Sequence, residues 1–389
     1  MSVRFPLATS SWDQAEQDAL QRVIKSDMFS MGPEVATFER QFADFFGAKY
    51  AVMVNSGSSA NLLMTGALFY TQNSDLVLRP GDEVIVPAVS WSTTYYPLAQ
   101  YGLVQKFVDI DRGTLNYDLD ALEQAVTDKT RAIMIVNLLG NPNDFDRINA
   151  IIGDRNIVLM EDNCESMGAT FNGKYTGTFA HVGSFSTFFS HHISTMEGGL
   201  VTTDDEELYH IMLSLRSHGW TRHLPKENRV TGTKSDDPFK ESFNFVLPGY
   251  NLRPLEMSGA LGQEQLKKLP ALIKGRRENA RLFQEGLSDH PLFTLQTEIG
   301  ESSWFGFSLV VRPNAGICRK DLLAKLDERG IESRPIVAGN FAKNPVMEHI
   351  PHVLHGELSN AEYIDNNGLF VGNHHYPISE VVEVLQGIT

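Results

Sequence analysis

The first 205 or so residues alternate between short apolar runs and longer stretches whose apolar positions recur at helical spacing. YAVMV (50–54), DEVIVPA (82–88), LVQKFVDI (103–110), RAIMIVNLL (131–139) and NIVLMED (156–162) read as strands. The intervening stretches 60–69, 91–101, 118–127 and 144–152 read as helices. Two more precede them: one opens at Ser11-Trp12-Asp13-Gln14 and reaches about Lys25, and one over 34–46 carries Phe38, Phe42 and Phe45 and stops before Gly47. Strands spaced by helices of this length need crossover connections, which predicts an α/β fold with a largely parallel sheet covered on both faces. VGSFSTFF (182–189) and GGLVTTD (198–204) add two strand candidates. A polar excursion follows over 221–246, then a long helix over about 256–285, then a smaller α+β region with strand candidates at 303–311 and 332–337. A domain boundary near 255 is expected, giving a large α/β unit over 1–255 and a smaller C-terminal unit over 256–389.

Composition bounds the function classes. With 389 residues, 42% hydrophobic and 21% charged, the chain can bury a large core over two or three domains. Its 48 acids outnumber 33 lysines and arginines, for a net charge of -15. Such a surface repels phosphate backbones and anionic lipid, so neither nucleic acid nor membrane is an expected partner. The two cysteines, Cys164 and Cys318, are too few and too far apart for a four-thiolate site and fit a reducing compartment. MSVRFPLATSSWDQ lacks the basic-then-apolar layout of a secretory leader, so a cytoplasmic protein is expected.

Four segments carry candidate chemistry. Asn55-Ser56-Gly57-Ser58-Ser59-Ala60-Asn61 sits between a strand end and a helix start, where backbone N–H groups and hydroxyls at Gly57, Ser58 and Ser59 suit a phosphate; a plain turn with a serine cap explains it equally well. Asp162, in Met160-Glu161-Asp162-Asn163-Cys164-Glu165, falls at the carboxyl end of an apolar strand, where open α/β sheets bind ligands and where a carboxylate can hold a cationic ring nitrogen. Trp91, after strand 82–88, could stack on a planar ring or pack in the core. Ser184 to His192 alternates small polar and aromatic residues before two histidines, side chains suited to proton transfer near neutral pH. Read as one strand, it puts Ser184, Ser186 and Ser190 on one face and lets at most one histidine face the site. No third ligand stands at metal-binding spacing, so no metal is expected.

In this order, the segments resemble the sugar aminotransferase and dehydratase family that binds pyridoxal 5'-phosphate (PLP) on the aspartate-aminotransferase fold, fold type I. The resemblance covers nearly the whole chain, including Pro248-Gly249-Tyr250-Asn251-Leu252-Arg253, similar to a stretch that reaches the neighbouring subunit's site. It implies a homodimer in which Asn251 and Arg253 serve the partner's cofactor.

Two departures from the family pattern are informative. Most members carry a cofactor-binding lysine six residues before the glutamate of Glu-Gly-Gly; here that position is His191, and the nearest upstream lysine, Lys174, lies in an unrelated turn. Where aminotransferase members place a glutamine over the cofactor, Glu165 stands. The pattern is similar to the dehydratase branch, in which a histidine replaces the lysine. It implies noncovalent PLP and pyridoxamine phosphate, held by Gly57, Ser58, Ser59, Trp91, Asp162, Glu165, Ser186 and Ser190, with His191 as catalytic base and then acid. The implied partners are L-glutamate and a GDP-linked 4-keto-6-deoxysugar that loses its C3 hydroxyl, as in colitose biosynthesis. His218 and Arg222 are expected to contact that substrate, although no residue reads the guanosine directly. A nucleotide-sugar aminotransferase and a non-catalytic PLP-binding protein remain as alternatives on the residues alone.

Overall fold

Eight strands form one sheet, in the spatial order Tyr50–Val54, Gly199–Thr203, Val182–Ser186, Val158–Asp162, Thr130–Val136, Glu83–Pro87, Val104–Val108, His352–Leu354. The computed structural model describes residues 3–388. Only Gly199–Thr203 runs against its neighbours, so seven strands point one way and bring their carboxyl ends to one edge. The central strands are buried on both faces because helices cover both, as the continuous apolar runs require.

Local signals explain the helices. Asp13 caps Gln14–Ser26 in a capping box with Glu16, and Asp118, Asp144 and Asp205 cap three later helices. Pro33–Phe46 starts on a proline and ends at Gly47, whose φ of 73° is the left-handed stop that glycine favours. The Glu256 carboxylate accepts from the N–H groups of Gly32, Glu34 and Val35, closing that helix start from a residue far along the chain. Phe46, rather than Phe45, completes the buried face with Phe38 and Phe42, while Phe45 stacks on Tyr175.

The helix Glu256–Leu287 is shared by two cores. Leu266, Leu269, Leu272 and Ile273 pack on Phe38, Phe42 and Phe46, whereas Ala280, Phe283 and Leu287 pack under a four-stranded antiparallel sheet. That sheet has the order Phe293–Thr294, Gly306–Val311, Gly368–Gly372, Ser333–Arg334.

Several elements differ from the sequence expectation. The strand expected over 131–139 ends at Val136, because Leu139 (φ 53°) and Gly140 (φ 95°) turn the chain left-handed. The expected strand 332–337 contributes only Ser333–Arg334. Strand 182–189 stops at Ser186, and residues 187–198 form a turn-rich segment. Ser190, His191 and His192 therefore lie on no strand, and the shared-face expectation for Ser184, Ser186 and Ser190 does not extend to Ser190. No helix among the described residues is long and apolar enough to cross a membrane.

Candidate active site

The strand Val158–Asp162 delivers Asp162 to the carboxyl edge of the sheet, 6% exposed. Its Oδ2 accepts from Asn61 Nδ2 and from Thr94 Oγ1, each at 2.8 Å, and Oδ1 accepts from the Cys164 N–H at 3.2 Å. Three donors on a buried carboxylate fix its direction. Thr94 also ties the site to Trp91, because its N–H donates to the Trp91 carbonyl at 3.0 Å. Trp91 is 57% exposed at the start of helix Ser92–Gln100, so its indole is not a core side chain.

The neighbouring helix begins at Gly57 and not near 60, because Ser56 caps it: Ser56 Oγ accepts from the Ser59 N–H at 3.1 Å. The hydroxyls of Ser58 and Ser59 donate to Thr93 Oγ1 (3.0 Å) and Asn55 Oδ1 (2.6 Å). Gly57 is needed sterically, since a Cβ there would meet Ser186 Cβ at 2.7 Å and Cys164 Sγ at 3.1 Å. Thus the helix start, Ser186 and the segment after Asp162 converge. Asn61, one turn into the helix, joins them, donating to Asp162 and accepting from Ser184 Oγ at 2.6 Å.

His191 enters from the turn-rich segment. Its Nδ1 lies 2.7 Å from the Cys164 carbonyl oxygen, and its ring packs near Phe188 (6.1 Å) and Phe305 (5.1 Å). Loss of water around the ring pushes its pKa down to about 4, although the Cys164 hydrogen bond and the Asp162 charge oppose this. His192 turns away: it is buried, its Nε2 pairs with the Ser303 carbonyl at 3.2 Å, and burial holds it well below its ordinary value. The segment is anchored through Ser194, whose N–H donates to Gln265 Oε1 and whose carbonyl accepts from Trp12 Nε1. Glu165 accepts from the Leu139 N–H at 3.0 Å, and burial raises its carboxyl to about 7.

The described chain therefore gathers Gly57, Ser58, Ser59, Trp91, Asp162, Glu165, Ser186 and His191 around one strand edge. Ser190 stands next to His191, partly buried. The remaining predicted residues assemble elsewhere. Arg222 lies over the Trp220 ring at 4.4 Å, Arg253 at 5.9 Å, and the His218 ring is 4.8 Å away. Arg253 Nε donates to Asn251 Oδ1, and Phe243 and Phe245 border the same exposed patch. None of His218, Arg222, Asn251 and Arg253 has a hydrogen bond to Asp162 or His191 among the described residues. Lys174 stacks over Phe179 in an outer hairpin.

Sequence reasoning placed Asn61 in the candidate phosphate turn and Thr93 and Thr94 beside Trp91 without giving any of them a role, and it missed Phe305. Asn61 and Thr94 left a trace, as polar residues inside otherwise apolar helix faces; Phe305 left none, lying more than a hundred residues away. Among the described residues no group of three or more His, Cys, Asp or Glu is arranged to hold a metal. A helix start that attracts anions, a buried carboxylate fixed by three donors and an uncovered indole fit the phosphate, ring nitrogen and ring face of PLP.

Residues 10–385 match the DegT/DnrJ/EryC1/StrS aminotransferase family. The chain is 60% identical over 387 residues, 99% of each chain, to a GDP-4-keto-6-deoxy-D-mannose 3-dehydratase from Escherichia coli O55:H7. A solved GDP-4-keto-6-deoxymannose-3-dehydratase with a trapped PLP-glutamate geminal diamine superposes with a TM-score of 0.97 at 60% identity, covering 98% of this chain and 99% of that one. A histidine-to-asparagine mutant of such an enzyme, with bound GDP-perosamine, superposes with the same score, identity and coverage.

Proposed function

Since this chain belongs to the DegT/DnrJ/EryC1/StrS aminotransferase family, we infer that it is a PLP-dependent GDP-4-keto-6-deoxy-D-mannose 3-dehydratase, acting in the cytoplasm as a homodimer on the route to colitose. The observation that carries the reading is His191, a side chain unable to bond the cofactor covalently, at the position where the family resemblance places a lysine, with its Nδ1 committed to the Cys164 carbonyl.

The balance of the reaction explains why glutamate is consumed. Glutamate is oxidised by two electrons to 2-oxoglutarate and gives up its nitrogen as ammonia, while C3 of the sugar exchanges a hydroxyl for hydrogen. PLP, when bound, supplies an aldehyde interconvertible with an amine and a ring that delocalises charge from the carbon beside the nitrogen. The protein's part is to bind, orient and move protons. Gly57, Ser58, Ser59 and Ser186 hold the phosphate at the helix start, Asp162 holds the ring nitrogen, and Trp91 covers a ring face. Glu165 and Ser190 complete the wall, and Asn251 and Arg253 of one subunit reach toward the other subunit's site. A carbonyl oxygen only accepts, so His191 Nδ1 carries a proton and Nε2 keeps its lone pair. Nε2 takes up a proton and delivers it to the departing C3 oxygen, which leaves as water. His218 and Arg222 offer the substrate a cationic and aromatic surface suited to a diphosphate.

Turnover of GDP-, CDP- and dTDP-linked 4-keto-6-deoxysugars, each with glutamate and PLP, tests the substrate. The reading expects loss of the C3 oxygen from the GDP sugar at a kcat/KM well above the other two; equal or reversed preference overturns the nucleotide assignment.

A further inference from the structure

Arg276 lies on the helix Glu256–Leu287, where that helix passes from one core to the other. It is 7% exposed, and no carboxylate among the described residues pairs with it. Its Nη1 donates to the carbonyl oxygens of Trp304 (3.3 Å) and Phe305 (3.1 Å), and its Nε has no partner. A buried guanidinium without an anion is an expensive arrangement, and burial drags its pKa down to about 10. Proteins keep such violations mainly where they serve a site.

The carbonyls that Arg276 holds belong to a strained segment against the catalytic residues. Trp304 adopts φ 48°, Ser303 N–H donates to the Gly140 carbonyl at 3.0 Å, and Phe305 N–H donates to the Leu139 carbonyl at 2.9 Å. Leu139 in turn donates to Glu165, and the Phe305 ring lies 5.1 Å from the ring of His191 and 5.8 Å from that of His192. Asn373 Nδ2 reinforces the arrangement, donating to the main-chain carbonyls of Arg276 and Trp304.

We propose that Arg276 and Phe305 are positioning residues for His191: Phe305 walls the imidazole from water, and the Arg276 cation, which fixes the segment carrying Phe305 and has no anion of its own, biases that imidazole toward its proton-accepting form. The inference rests on His191 being the base. Several groups face that ring. The Asp162 carboxylate favours the protonated imidazole and Arg276 opposes it. The Cys164 carbonyl engages Nδ1, while the thiol of Cys164 is kept protonated by burial. His192 is held neutral, Glu165 is raised to about 7, and Phe188 and Phe305 supply uncharged edges.

The test tracks the ring 15N resonances of histidine-labelled full-length protein, with and without PLP, over roughly pH 3 to 8, His191→Asn identifying the signal, alongside the pH profile of kcat/KM. In Arg276→Gln, His191 should protonate about one pH unit higher than in the unsubstituted protein, and the acid limb of the profile should move with it. Arg276→Lys keeps the charge and should leave the midpoint in place while lowering kcat. Phe305→Leu admits water and should shift the midpoint upward, which keeps the test alive if Arg276→Gln does not fold. An unmoved midpoint in Arg276→Gln, or in Phe305→Leu when only that variant folds, overturns the proposal. Full activity in His191→Asn overturns instead the reading of His191 as base, so the two failures are distinguishable.

Discussion

The imidazole of His191 is tethered to the carbonyl of Cys164, two residues beyond Asp162, with 2.7 Å between Nδ1 and oxygen. One short segment thus presents the carboxylate proposed to hold the cofactor ring and sets the tautomer of the proposed base. Replacing His191 with asparagine leaves an amide that cannot exchange protons near neutral pH. Dehydration should fall by about 10²- to 10⁴-fold while PLP binding, followed by absorbance, changes little. In His191→Lys the cofactor should become covalently attached, trapped by borohydride and visible as a mass increase, and C3 dehydration should be lost.

Thr94 links Asp162 to Trp91, and its hydroxyl donates to the carboxylate at 2.8 Å. Thr94→Val keeps the shape and removes one charge-assisted hydrogen bond. PLP affinity should weaken by about tenfold, measured by equilibrium dialysis, because the carboxylate is left less fixed.

Gly57 has no room for a methyl group between Ser186 and Cys164. Gly57→Ala must push the helix start or Ser186 aside, at about 1–3 kcal/mol. A lower Tm and loss of PLP on dialysis are expected together; a variant that keeps both would show that the helix start does not hold the phosphate.

Glu161 points away from the site, accepting from Asn137 Nδ2 and from the main-chain N–H groups of Gly177 and Phe179, and burial raises it to about 7. Its folded pKa lies above the unfolded value of 4.5, so the native state binds more protons between those limits. The stability this group contributes is complete below about pH 4.5 and is lost as the pH rises through about 7, a change on the order of 3 kcal/mol. Glu161→Gln cannot titrate. Chemical denaturation at several pH values should therefore show the variant less stable than the parent at low pH and the gap narrowing as the pH rises.

Much of the site was legible in the sequence because it sits at strand ends. Continuous apolar runs mark the parallel strands, so the residues at and just beyond their ends, Asp162, Trp91 and Gly57 to Ser59, fall at the carboxyl edge of the sheet. The extent of the strand after Val182 was not legible: Phe188 and Phe189 have strand propensity, yet both are exposed, and the chain turns after Ser186. His352–Leu354 was also missed as the edge of the large sheet, since three residues with two exposed side chains carry no period. Phe305 and Arg276 reach the site by long-range packing, which no local pattern encodes. Asn251, Arg253, His218 and Arg222 gather about Trp220, a grouping that sequence spacing hid.

The most direct measurement is the nitrogen and oxygen balance of a complete turnover with GDP-4-keto-6-deoxy-D-mannose, PLP and 15N-glutamate. The account predicts labelled ammonia, 2-oxoglutarate and a sugar lacking the C3 oxygen in equal amounts, with no label in the sugar. A sugar that retains its C3 oxygen and carries the label, with no ammonia released, would contradict it.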